Sequence, residues 1–278
     1  MVSSDPVIPR EQRPAIASYL GQRLAGPVAI ETWTQRESAL VRTDRDPCMF
    51  CDDVASAARQ LAALHPLISI TPYDIDTHAD RAAEAGIERP PVTVLRGRNG
   101  REVRVVGLWS GLLFSAFMDA LIYVGAGVAP IQPETREALQ AFEEELKLEL
   151  LIAPYDPYSA YTLRVVSAFA VESRRVRLEA IEVSEFPRLA QARMVSEVPV
   201  LLVNGRRFSG AWDENDLLEQ LKRILEGNDE PVVRERILVS PYMDVNQAQE
   251  FVAREMQGEA TPGQPPPTTP GGLIIPGR

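Results

Sequence analysis

Sulfur and imidazole are scarce in this chain. Its 278 residues include two cysteines, Cys48 and Cys51, and two histidines, His65 and His78. Two cysteines this close together exclude a structural disulfide framework, which uses more of them at longer spacings. A bridge between them closes a loop too small to constrain the unfolded chain much. A zinc centre fares no better. His65 follows Cys51 at a suggestive distance, but His78 lies far outside the short His–His spacing of such sites, and there is no third cysteine. Positive charge is in deficit: 29 Lys and Arg face 39 Asp and Glu, a net charge of −10. That balance argues against non-specific binding to nucleic acid or anionic membranes. No apolar run approaches the roughly 18 residues needed to span a bilayer. The N-terminal "MVSSDPVIPREQRP" has no apolar stretch of the kind that marks a secretory signal. The expectation is a soluble, cytoplasmic protein with no metal, no membrane partner and no nucleic-acid partner.

What the chain does have is length enough for two cores and an internal repeat. "VAIETWT" (28–34) is rich in β-branched and aromatic residues and reads as a strand. "DVASAARQLAALH" then places Val54, Ala57, Ala58, Leu61 and Leu64 at helical spacing. A strand "LISITPYDID", a short helix "ADRAAEAGI", two strands joined by an Asn99-Gly100 turn and a helix "LFSAFMDALIYV" follow. Adding 108 to the numbering carries Cys48 onto Asp156, Cys51 onto Ser159 and Pro91 onto Pro199. The same shift carries Ala57, Ala58 and Leu61 onto Val165, Val166 and Phe169. "SRRVRLEAIEV" and "FPRLAQARMV" then repeat the strand and short helix, and a tighter Asn204-Gly205 turn repeats the hairpin. Each half reads β-α-β-α-β-β-α, with an extra helix around "EQRPAIASYLGQRL". The expected units are 1–126, 127–226, a helical extension over 227–258 and a disordered Pro/Gly-rich tail over 259–278. In the extension, Asp244 and Gln247 have the spacing of a capping box.

The motifs "CMFC", "ERPPVTVL", "PYDPYS", "EVPVLLVNG" and "FSGAW" stand in matched order in the two halves. This order resembles the thioredoxin fold in its glutaredoxin-like form. Two such units in one chain resemble the tandem-domain protein disulfide oxidoreductases, over about residues 10–226. The resemblance implies an α/β protein with two thioredoxin-like domains, each a four-stranded mixed sheet flanked by helices. It implies a thiol–disulfide oxidoreductase whose only redox group is its own disulfide. Its partners would be disulfide-containing proteins and a thiol reductant or reductase. Met49, Phe50, Pro90 and Pro91 would contact substrate. Pro91 would be the cis proline that faces the dithiol, and the residue before it would offer backbone hydrogen bonds to an extended peptide. Here that residue is Pro90, which has no N–H to give. Asp156, Ser159 and Pro199 would form a degenerate second site.

The residues themselves support this chemistry. Thiol–disulfide exchange needs a thiolate, and a helix N-terminus favours the anion. "RTDRDPCMFCDDVAS" places Cys48 where a helix begins and Cys51 one turn deeper, so Cys48 is expected to attack and Cys51 to resolve. Arg42 and Arg45 would favour the thiolate; Asp46, Asp52 and Asp53 would oppose it. Glu31, in the first strand, reads either as a proton carrier near Cys51 or as an exposed strand carboxylate. The segment "QRESALVRTDRD" is expected to form a lip over the site. Asp156 is a good helix N-cap and Pro157 a good first helical residue, so the second unit is expected to keep the fold, lose the chemistry and help bind substrate. Phe50, Trp109, Tyr155, Tyr158 and Trp212 are the aromatics available to line a groove. The alternative is a redox-quiet binding or scaffold protein. Its terminal Leu273, Ile274 and Ile275, an apolar hook on a polar leash, resemble the docking peptides by which cargo enters encapsulin shells, which would make such a shell a partner and its interior a location.

Overall fold

The structure, a computed structural model, describes residues 7–36 and 48–256. The first repeat contains α1 (Arg13–Arg23), β1 (Val28–Thr34), α2 (Cys51–Ala62), β2 (Ile68–Asp74), α3 (Ala79–Glu84), β3 (Val92–Gly97), β4 (Glu102–Val106) and α4 (Leu113–Ala126). The second contains α5 (Pro133–Gln140), β5 (Leu146–Ile152), α6 (Pro157–Glu172), β6 (Val176–Glu182), α7 (Pro187–Ala192), β7 (Glu197–Val198), β8 (Val200–Val203), β9 (Arg206–Ser209) and α8 (Glu214–Leu225). A two-residue strand β10 (Ser240–Pro241) and helix α9 (Val245–Met256) close the described chain. Strand β2 maps onto β6, and α3 onto α7, at the same 108-residue offset that relates the motifs.

Each repeat contributes four strands, in the orders β2-β1-β3-β4 and β6-β5-β8-β9. Their inner edges meet. Strand β4 pairs in parallel with β6, Arg104 opposite Glu179 and Val106 opposite Ile181, so one eight-stranded sheet crosses both repeats. Alternation along the strands feeds two cores, as the period of two requires. In β8, Leu201 and Val203 join the core under α1, α2, α4, α6 and α8, while Val200 and Leu202 join the core under α3 and α7. Helices α4 and α6, one from each repeat, pack on each other on the first of these faces.

The turn chemistry is local. Asn204 (φ 50°) and Gly205 (φ 83°) make the two-residue hairpin between β8 and β9, where both positions need positive φ. In α9, the Asp244 N–H donates to Gln247 Oε1 (3.0 Å) and Asp244 Oδ1 accepts the Gln247 N–H (3.0 Å), the reciprocal cap that the spacing predicts. No helix among the described residues is long and apolar enough to cross a membrane.

Candidate active site

The dithiol lies beyond the end of β1. Cys48 and Cys51 are joined as a disulfide, with Cα atoms 5.6 Å apart. Cys51 is 4% exposed, whereas Cys48 is half-buried and Met49 exposed. The sulfur nearer solvent is the one expected to attack. Helix α2 begins at Cys51, with half-buried Phe50 as its N-cap, rather than at Cys48. The correction is a matter of three residues, because the turn carrying Cys48 must fold back for its sulfur to reach Cys51. That bond still leaves the Cys48 sulfur at the N-terminal end of α2, where first-turn N–H groups lack helical partners and favour an anion. The Gln35 backbone N–H donates to Cys51 Sγ at 3.0 Å, tying the buried sulfur to the end of β1.

Asp52 and Asp53 occupy the first turn of α2. Burial first, and then the Asp52 charge, push the Asp53 carboxyl above its ordinary value. A carboxyl that ionises less readily opposes the thiolate less. Arg42, Arg45, Asp46 and most of the expected lip lie outside the described residues, as do Leu273, Ile274 and Ile275.

Pro90 and Pro91 are buried, and the peptide bond between them is cis. The β1–β3 register pairs Trp33 with Val92, which sets Pro91 beside the Thr34–Gln35 end of β1, the same end that holds Cys51. Sequence reading left Glu31 open between two roles. Its carboxylate instead accepts from Arg96 Nε at 2.9 Å, and Arg96 also binds Glu102. This is a structural ion-pair triad, not a contact with sulfur. Arg96 sits diagonally across the β1–β3 ladder from Glu31, a geometry that favours such pairs. Two of the aromatics considered for a groove are core residues. Trp109 stacks on Phe117 with centroids 4.0 Å apart, and Trp212 is fully buried beneath the Arg234 guanidinium.

The second repeat shows what replaced the sulfurs. Asp156 is fully buried and caps α6. Its Oδ2 accepts the Ser159 N–H (2.7 Å) and the Ser159 hydroxyl (2.6 Å); its Oδ1 accepts the Tyr158 N–H (3.3 Å) and the Ser240 hydroxyl (2.6 Å). Ser159 Oγ in turn accepts the Ala153 N–H at 3.1 Å. A hydrogen-bonded Asp–Ser pair thus stands where the first repeat has a disulfide. Burial raises the Asp156 carboxyl, and these hydrogen bonds work against that rise.

Sequence reading missed what covers this pair. Strand β10 runs antiparallel to β7, with Ser240 opposite Val198, immediately before the cis Val198–Pro199 bond. Around it, Tyr242 N–H donates to Ser196 O (3.0 Å) and Ala211 N–H to Leu238 O (2.9 Å). The Tyr155 hydroxyl donates to Pro241 O (3.1 Å) and accepts the Met243 N–H (2.7 Å). The chain's own residues 238–243 therefore lie against the Asp156–Ser159 pair. The available signal was Ser240-Pro241 after an apolar "ILV", too short to show a strand period.

Between the two sites lies a buried acid pair. Glu182, at the end of β6, and Glu185, in the 3-10 turn that follows, are 2% and 9% exposed. Glu185 Oε1 accepts the Leu108 N–H of the first repeat at 2.5 Å. Gly107 makes room for this contact: at φ +94°, a β-carbon there would lie 2.8 Å from Glu182 Cβ. Gly107→Ala is therefore expected to cost more than about 1 kcal/mol in denaturant unfolding, through both strain and crowding.

Burial raises Glu182 to about 7, and burial together with the Glu182 charge holds Glu185 well above the usual carboxylate range. The unfolded chain releases these protons near pH 4.3, so between that pH and about 7 the folded state binds more protons. Stability from this pair is fully present below pH 4.3 and is lost as pH rises through the folded value. The midpoint of thermal unfolding should fall from pH 5 to pH 8. Glu185→Gln should flatten that slope; an unchanged slope would remove the pair as its cause.

No family model and no curated protein matches this chain. Solved structures do. A protein disulfide oxidoreductase from Aeropyrum pernix K1 superposes with a TM-score of 0.70 at 23% identity, covering 81% of this chain and 95% of that one. The NTD_N/C domain of the alkylhydroperoxide reductase AhpF from Enterococcus faecalis (V583) gives 0.67 at 19% identity, covering 77% of this chain and 99% of its own. Sso1120 from Sulfolobus solfataricus gives 0.50 at 13% identity, covering 69% and 95%. In fold, this chain is a tandem of two thioredoxin-like units joined through one sheet, the first holding a Cys-x-x-Cys disulfide and the second an Asp–Ser pair.

Proposed function

We propose that the protein is a thiol–disulfide oxidoreductase working through Cys48 and Cys51. The observation that carries this reading is the asymmetry of the pair: Cys48 half-buried, Cys51 buried with its sulfur held by the Gln35 N–H, both at the N-terminal end of α2. In the reducing direction, the Cys48 thiolate attacks a substrate disulfide. A Cys48–substrate disulfide forms, and the first substrate sulfur leaves as a thiolate and takes a proton. The Cys51 thiolate then attacks Cys48, expelling the second substrate sulfur and closing the Cys48–Cys51 bond. Two electrons pass from the pair to the substrate, and a thiol reductant restores the dithiol. No other cofactor is needed.

The second repeat supports protein substrates over small ones. Its groove holds an extended segment, antiparallel to the residue before the cis proline, with the Ser240 hydroxyl on the side chain that replaces Cys48. A substrate strand laid on Arg89–Pro90 in the same way would bring its cysteine to Cys48. The first groove offers one donor fewer, because Pro90 has no N–H where Val198 has one. Units 1–126 and 127–226 then divide the work: the first carries the chemistry, and the second, its groove closed by the extension, braces it. The deciding experiment is insulin reduction with dithiothreitol, beside oxidised glutathione at equal disulfide concentration. The reading expects turnover of insulin with a higher kcat/KM than for glutathione. A redox-quiet scaffold would turn over neither.

A further inference from the structure

The far end of the sheet gathers positive charge that the redox site does not use. A cavity of about 440 Å³ lies between the β3–β4 turn, the C-terminal end of α6 and the start of β6. Four arginines line it: Arg98, Arg101, Arg174 and Arg177. The dithiol sits at the Thr34 end of β1, whereas the β3–β4 turn lies at its Val28 end, so the two are separated by the strand's length, about 20 Å.

The charges there are poorly compensated. Arg98 and Arg174 are exposed and have no carboxylate partner among the described residues. Arg177 reaches Glu145 at 3.3 Å. Arg101 is the central group. Its Nη2 donates to the Glu172 carbonyl at 3.3 Å, while its Nε and Nη1 are buried with no hydrogen-bond partner. Burial, and then repulsion from Arg174 and Arg177, weaken its hold on its proton, partly offset by Glu172. Neither nearby acid is free to neutralise it. Glu102 is engaged by Arg96 and Arg104, and the Glu172 carboxylate by Arg136 (3.1 Å) and the Ala129 N–H (2.6 Å). A guanidinium stays charged in proteins, so Arg98, Arg101 and Arg174 leave positive charge at the cavity wall that neighbouring carboxylates offset only in part.

We propose that this cavity is a binding site for a small phosphate-bearing anion of at least two negative charges. Guanidinium groups suit tetrahedral oxyanions, four arginines line this cavity, and its volume falls within the range of small-ligand sites. No aromatic side chain lines the cavity, so recognition is of charge rather than of a base. The site is independent of the dithiol and of the oxidoreductase reading.

Pyrophosphate is the probe, titrated calorimetrically into the full chain at about 50 mM salt. One saturable site is expected. Its affinity should fall tenfold or more in Arg101→Ala and in the surface variant Arg174→Ala, and should weaken as salt rises. Arg101→Lys, which keeps the charge and loses the fork, should also bind less tightly. Pyrophosphate should raise the unfolding temperature of the wild type beyond an equal ionic strength of chloride. Absence of a saturable site would overturn the proposal, as would binding unchanged in the folded Arg174→Ala protein or equal stabilisation by chloride. Cys48→Ser should bind pyrophosphate normally, which keeps this result separate from the redox chemistry.

Discussion

Cys48→Ser is expected to bring insulin reduction down to the rate of dithiothreitol alone, whereas Cys51→Ser keeps the first chemical step and loses the second. The asymmetry follows from burial. Cys48 is the less buried of the two and is expected to reach an external disulfide; Cys51 is 4% exposed, and its sulfur accepts the Gln35 N–H. Without Cys51 the mixed disulfide at Cys48 has no internal thiolate to resolve it and accumulates. Cell extract passed over Cys51→Ser should leave proteins attached through a bond that dithiothreitol releases. Cys48→Ser should capture none. Full turnover by Cys48→Ser would show that the chemistry lies elsewhere; capture by that variant instead would reverse the two roles.

The second large effect is structural. Asp156→Ala should destabilise the protein by about 3 kcal/mol or more, measured by denaturant unfolding. The carboxylate serves at once as helix cap and as acceptor for four donors, two of them hydroxyls, in a fully buried position. Loss of a cap costs about 1 kcal/mol, and each buried donor left without an acceptor adds about 1–3 kcal/mol before relaxation. Ser240→Ala removes a single bond to that carboxylate and should cost less, while loosening residues 238–243 to hydrogen exchange. Insulin turnover per folded molecule should stay unchanged in both, because the dithiol belongs to the other repeat. A cost below about 1 kcal/mol for Asp156→Ala would mean that this network does not hold the strap in place.

Much of this architecture is written in local chemistry. The offset of 108 carries β2 onto β6 and α3 onto α7 without slippage, and Asp156-Pro157 caps and starts α6 as those residue types do. What escaped the sequence depends on distant partners. Strand β10 is two residues long and contains a proline; only β7, some forty positions earlier, makes it a strand. The β4–β6 pairing that fuses the two repeats lies between residues of ordinary strand pattern, so nothing local marks it as an inner edge. Helix α5 is eight residues long and buries only Thr135 and Leu139, too weak a period to stand out. Glu182 and Glu185 carry no local motif; the Leu108 N–H and the strand junction, both distant in sequence, enclose them. The arginine cavity is similar: its four members come from two segments about seventy residues apart, and only the folded sheet end brings them together.

The proposed chemistry requires Cys48 to be the accessible, ionisable sulfur and Cys51 its shielded partner. The measurement for this is iodoacetamide labelling of the reduced protein across pH 5–9, with the modified residue identified by mass spectrometry. Labelling is expected at Cys48 first, with an apparent pKa below the roughly 8.5 of a free thiol, and little at Cys51 until the chain unfolds. Preferential labelling of Cys51, or a Cys48 sulfur inert throughout that range, would contradict it.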